Sequence, residues 1–156
     1  MNHTAKKISA VILLLLTAAL LIFIWGNSLM SRQQSHLQSE AALQAVSPVF
    51  DSVSKGGITE TALRKLAHFL EFFALSAVIT LLLRLFRPVS VQLIFNILSL
   101  GLIAAVIDES LQILSKRGPL VSDILIDQSG VCVGAVFALL IILIAKKLLG
   151  KRFSSF

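Results

Sequence analysis

The stretch RKLAHFLEFFALSAVITLLLR, residues 64–84, decides the fold. Its apolar run, Leu66 to about Leu85, matches the roughly 20 residues that a helix needs to cross the hydrocarbon core of a bilayer. Arg64 and Lys65 stand before it and Arg84 and Arg87 after it, where interfacial anchors belong. Within it sit His68 and Glu71. Arg64, His68, Glu71 and Leu75 are spaced i, i+4, i+7, i+11 and so share one helix face. At 1.5 Å per residue, Glu71 lies about 10 Å deeper than Arg64. An ionised carboxylate turned to lipid costs about 2–3 kcal/mol at a helix centre and less near the interface, so Glu71 must face other helices and find a partner.

Three more runs supply those helices. They are Ile8 to Trp25, about Val91 to Ile113 with Pro88 breaking the chain ahead of it, and about Ile124 to Ala145. The chain has 156 residues, 56% hydrophobic and only 14% charged. Four spans would use about 80 residues, close to the whole apolar content. A soluble domain of this length would leave too much apolar surface in water, and disordered chains are apolar-poor. The length also excludes a large catalytic ectodomain. The first run follows Lys6 and Lys7, but it exceeds a usual signal-peptide core and no small-x-small cleavage site follows it, so it reads as an uncleaved span. Trp25 at its end suits the membrane interface. The lone Cys132 can form no internal disulfide and no Cys-based metal cluster. The net charge of +6 does not point to nucleic acid, because the cations sit at the edges of apolar runs without interleaved aromatics.

Charge placement orients the bundle. The N-terminus, the loop after the second span and the C-terminal tail, 146–156, hold Lys6, Lys7, Arg84, Arg87, Lys146, Lys147, Lys151 and Arg152, with no acid. The opposite side holds Arg32, Lys55, Arg64, Lys65, Lys116 and Arg117 together with all eight acids. The positive-inside rule then places both termini in the cytoplasm of a plasma-membrane protein. The expected architecture is a single all-α domain over 1–156, with four transmembrane helices. In the first outer loop, 26–63, a loose apolar stripe from Leu37 to Val53 broken by Pro48 predicts one or two short amphipathic helices on the membrane surface. Gly56-Gly57 is a turn, and Thr59 can cap the second span, with Ile58 and Leu63 spaced as a hydrophobic staple.

Three spans bring polar residues to the outer layer. The third ends in Asp108, Glu109 and Gln112, where Asp108–Gln112 is an i, i+4 pair and Glu109–Gln112 an i, i+3 pair. Lys116 and Arg117 follow beside Gly118-Pro119. Ser122 is placed to cap the fourth span, and Asp123 in its first turn favours the helix dipole. Asp127, Gly130 and Gly134 continue the face of Asp123, and the two glycines form a small-xxx-small pair for close helix packing.

At these residues the chain resembles the VanZ-like family of small membrane proteins. The matching pieces are WGNSLMSRQQSHLQS at 25–39, RKLAHFLEFFAL at 64–75, DESLQ at 108–112 and KRGPLVSDILIDQSGVCVG at 116–134. The resemblance implies a four-helix membrane protein. The family's name-giving member is linked to low-level resistance to teicoplanin-type glycopeptide antibiotics, which act outside the membrane on lipid-linked cell-wall precursors. The family commonly has Tyr near Phe72 or Phe73 and Asn where this chain has Asp127, so the resemblance carries no role over to Asp127.

The favoured function is a cell-envelope accessory protein that binds membrane lipid, a lipid-linked precursor or a glycopeptide. Arg64, Lys65, Arg117 and Lys116 would hold an anionic group, with Arg suited to bidentate contact. His68, Glu71, Asp108, Glu109, Gln112 and Asp123 would complete the ligand site. The alternative is an intramembrane enzyme. His68, Glu71, Asp108 and Glu109 are its acid–base candidates, and His68, Glu71 and Glu109 are the candidate ligands of a divalent metal. No familiar nucleophile motif, phosphate-binding Gly loop or HExxH supports catalysis. A purely structural cluster is a third reading. A proton relay fits poorly, since no ionisable residue lies deep in the cytoplasmic half of any span.

Overall fold

The computed structural model describes residues 3–53, 58–115 and 121–153. Among them are five helices and no strand: α1 (His3–Ser28), α2 (Arg32–Val53), α3 (Glu60–Arg84), α4 (Val91–Leu114) and α5 (Val121–Phe153). Helices α1, α3, α4 and α5 are long and apolar enough to cross a membrane, with mean hydropathy of 2.0–2.8 over their best windows. An even number of spans returns the chain to its starting side. The far end of the bundle, opposite the termini, therefore carries the α1–α3 and α4–α5 connections.

Local signals explain most helix starts. Thr59 caps α3, its side chain accepting from the Ala62 amide at 3.2 Å. Ser90 caps α4 by accepting from the Leu93 amide. At the start of α2, Ser31 and Gln34 form a reciprocal capping box: the Gln34 amide donates to Ser31 Oγ at 3.3 Å, and the Ser31 amide to Gln34 Oε1 at 3.1 Å. One expectation changes, and one is narrowed. Helix α5 already begins at Val121, so the Ser122 hydroxyl donates to Asp123 Oδ1 at 3.1 Å instead of capping from outside. Pro48 does not divide the loop helix: α2 is one helix with Pro48 inside it. Pro48 has no amide hydrogen for the Gln44 carbonyl four residues back. The Ser47 hydroxyl donates to that carbonyl instead, at 3.4 Å, on an exposed face that water also reaches. The Gly56-Gly57 turn lies outside the described residues.

The core is small. Phe72, Leu75 and Ile79 of α3 meet Leu93, Ile97, Ala104 and Ala105 of α4, Val131 and Ala135 of α5, and Ile24 of α1. Large apolar side chains such as Ile22, Phe95 and Leu125 point outward, at 73%, 64% and 66% exposed. In water that would be costly, but lipid is as apolar as these side chains, so membrane helices associate through close packing and hydrogen bonds instead. Both are present. A Cβ on Gly130 would collide with the Phe69 carbonyl and one on Gly134 with the Phe73 carbonyl, so α5 lies backbone to backbone on α3. The Ser76 hydroxyl donates to the Val131 carbonyl at 2.7 Å across the same seam. Trp25, expected as an interfacial anchor, is half-buried, and its indole donates to the Ala104 carbonyl of α4 at 3.3 Å.

Candidate functional site

The glycine contact sets the geometry of the far end. Gly130 touches α3 at Phe69, next in sequence to His68. Asp127, three residues before Gly130 on the same face of α5, is thereby carried against His68. Helix α4 runs antiparallel to α3 and presents Asp108 at the same level. His68 Nδ1 lies 3.4 Å from Asp127 Oδ1 and 3.8 Å from Asp108 Oδ2. The His68 side chain is 14% exposed, and both aspartates are fully buried.

Around this centre the polar groups are largely paired. Ser28, the last residue of α1, donates its hydroxyl to Asp108 Oδ1 at 2.7 Å. Gln112 donates to Asp108 Oδ2 at 3.2 Å and to Glu109 Oε1 at 3.0 Å, so both α4 pairs read from spacing are formed by one amide. The Ser115 hydroxyl donates to the Ser28 carbonyl at 3.0 Å and fastens the ends of α1 and α4 together. Asn27 donates to Glu71 Oε1 at 3.2 Å. Asp127 differs: neither of its oxygens accepts a hydrogen bond from any described residue, and His68 Nδ1 also makes none.

A cavity of about 250 Å³ opens beside the cluster, between α1, α2 and the start of α3. Arg64, His68 and Glu71 supply one wall, Asn27 and Ser28 the next, and Gln38 and Ser39 of α2 the third. Phe23, Leu63 and Ala67 add apolar surface. Where helix α2 crosses it, the His36 ring lies 3.5 Å from Glu60 Oε2 at the start of α3 and 3.7 Å from Glu40 Oε2 of its own helix.

The sequence-derived residues thus fall into groups. Arg64, His68 and Glu71 share the cavity wall, as their common face requires. Asp108, Glu109 and Gln112 are buried beside it. Asp123 is buried one turn before Asp127. Lys65 is exposed and does not line the cavity. Lys116 and Arg117 lie outside the described residues. Of the expected metal donors, the structure groups only His68 with other potential ligands: one donor atom each from His68, Asp108 and Asp127 lie within 4.8 Å of one another.

Sequence reasoning assigned no role to Asn27, Ser28 or Asp127. For Asp127 the signal was the glycine face itself, since a residue in register with Gly130 and Gly134 must point at the helix they touch. For Ser28 the signal was a small polar residue one turn beyond the end of an apolar span.

Comparison with known proteins identifies a family. The family model for VanZ/LLP1 matches residues 11–143, from the first span through the fourth. No curated protein and no solved structure matches the chain. Because the match covers most of the chain, reaching from within the first span to within the fourth, the chain belongs to the VanZ/LLP1 family.

Proposed function

We propose that the protein is a cell-envelope membrane protein whose far end, on the outer face of the plasma membrane, holds the anionic head of a lipid or lipid-linked molecule. The orientation rests on the eight cations and no acids of the termini side. The observation that carries the reading is the cavity. It joins a guanidinium at the rim, Arg64, to buried polar groups at its base, with apolar walls for the start of an acyl or prenyl chain. Its 250 Å³ is below the roughly 300–1,000 Å³ of an ordinary small-molecule pocket, which suits a headgroup better than a bulky ligand such as a glycopeptide. Glu71, the one carboxylate in the lining, lies deeper than Arg64 and is engaged by Asn27. An influence on glycopeptide susceptibility would follow from holding a lipid-linked precursor, not from contact with the antibiotic.

Retained lipid on the purified full-length protein tests this. Mass spectrometry after exposure to equal amounts of polyprenyl phosphate, phosphatidylglycerol and phosphatidylcholine should show the anionic lipids kept over the zwitterionic one. Arg64→Ala should weaken their retention by roughly fivefold, the equivalent of about 1 kcal/mol for one cation at headgroup depth. Equal retention of all three lipids would sink the reading. Release of inorganic phosphate from the polyprenyl phosphate would select the enzyme alternative instead.

A further inference from the structure

We propose that His68, Asp108 and Asp127 form a binding site for one divalent transition-metal ion, through one imidazole nitrogen and one oxygen from each carboxylate. The site stands independently of the lipid reading.

Three observations carry it. The first is spacing. Ligands about 2.1 Å from a metal in a tetrahedral site lie roughly 3.4 Å from each other. His68 Nδ1 is 3.4 Å from Asp127 Oδ1 and 3.8 Å from Asp108 Oδ2, and all three donor atoms fall within 4.8 Å. A direct N–H···O bond would be near 2.9 Å. The two separations from His68 thus fit ligands that share one ion, and a small side-chain adjustment would bring the two carboxylates to it.

The second is the state of Asp127. It is 0% exposed, and neither oxygen accepts a hydrogen bond from a described residue. A buried polar group left in that state is costly, and a buried carboxylate more so, unless a cation meets it. His68 alone approaches only one of the two oxygens, at 3.4 Å, and makes no hydrogen bond to it. A divalent cation would neutralise the charge of both aspartates while the imidazole stays neutral, which is the form that ligates.

The third is the surrounding shell. Metal-ligating carboxylates are themselves usually held by further hydrogen bonds. Asp108 has this support: Ser28 donates to Oδ1, and Gln112 donates to Oδ2. His68 also lines the cavity, which provides a path for the ion to enter from the membrane surface. One nitrogen and two oxygens form a borderline donor set, suited to Zn²⁺ or Mn²⁺ and less to Mg²⁺ or Ca²⁺, which prefer oxygen alone.

The test is metal content. Full-length protein in a neutral detergent, stripped with chelator and re-exposed to Zn²⁺ or Mn²⁺, should hold one ion per chain by elemental analysis. Asp127→Asn and His68→Ala should abolish that stoichiometric binding, while Lys65→Ala, on an exposed part of α3, should keep it. Asp127→Cys in a Cys132→Ser background guards against a variant that simply fails to fold. The thiolate replaces one oxygen, so Zn²⁺ should remain while Mn²⁺ is lost. Wild-type protein with no stoichiometric metal overturns the proposal, as does a folded Asp127→Asn protein that binds as well as wild type. Because no anionic lipid is present, failure here leaves the headgroup reading intact.

Discussion

At the scale of the residue, the far end shows how a membrane protein keeps carboxylates away from lipid. Asp108 is fully buried yet receives two donors from different helices, Ser28 of α1 and Gln112 of its own helix. The Ser28 bond is the more informative, because it ties the polar end of α1 to a carboxylate of α4. Ser28→Ala leaves an Asp108 oxygen without this donor in a buried site. Bonds to charged groups contribute about 1.5–3 kcal/mol in soluble proteins, and interhelical bonds in membranes rather less. We expect a loss of about 1 kcal/mol, read as a lower midpoint in detergent-induced unfolding, and an unchanged midpoint would mean that the bond adds nothing. The residues of this layer were legible to different degrees. His68, Glu71 and Asp108 declare themselves because an ionisable group inside an apolar run needs a reason. Asp127 does so only through its neighbours, since helical spacing does not say which face of α5 meets α3 until the glycines are known to be buried.

At the scale of the element, two kinds of tight contact hold the bundle, and they predict different genetics. Gly130 and Gly134 of α5 press on backbone carbonyls of α3. Gly101 of α4 presses instead on the Val131 side chain, with an added Cβ 2.5 Å from Cγ1 but 3.1 Å from Cβ. Overpacking of this sort costs about 1–3 kcal/mol. Gly101→Ala should therefore be rescued by Val131→Ala, which removes the clashing methyls. Gly134→Ala should not be rescued by Phe73→Ala, because the clashing atoms belong to the α3 backbone. Thermal denaturation of the two double-mutant cycles checks this, and equal rescue in both would show that α3 and α5 can slide apart. Gly130→Ala should in addition move Asp127 away from His68 and reduce metal retention. The four spans, the Thr59 cap and the α4 pairs were readable from hydropathy and spacing alone. The continuity of α2 was not. Pro48 is a strong local breaker, and the compensating contact from Ser47 to the Gln44 carbonyl is a side-chain geometry that composition does not encode.

At the scale of the whole molecule, the charges divide into two populations with different work. The cations near the termini have no acids among them in sequence, and one of them, Lys6, lies 4.8 Å over the Phe86 ring that follows α3. They read as anchors. At the far end Asp108, Glu109, Asp123 and Asp127 are buried in the bundle while Arg64 and Lys65 stay exposed, so that surface has a cavity with Arg64 at its rim. Fold class and span count were fully legible because bilayer thickness fixes helix length. The cavity was not, because it depends on α2 folding back towards the start of α3, where His36 meets Glu60, a long-range contact that no local pattern announces. The proposed orientation rests on the charge division, and it can be checked directly. The native thiol, Cys132, lies within α5 and can be replaced by Ser without touching the polar cluster. In that background a cysteine at Ser39, on the far end, should react with a membrane-impermeant maleimide in intact cells. A cysteine at Lys7 or Lys147 should react only after the membrane is opened. The opposite pattern would put the cavity in the cytoplasm, and the ligand would then have to be sought among inner-leaflet headgroups, since the same Arg64 rim would face them.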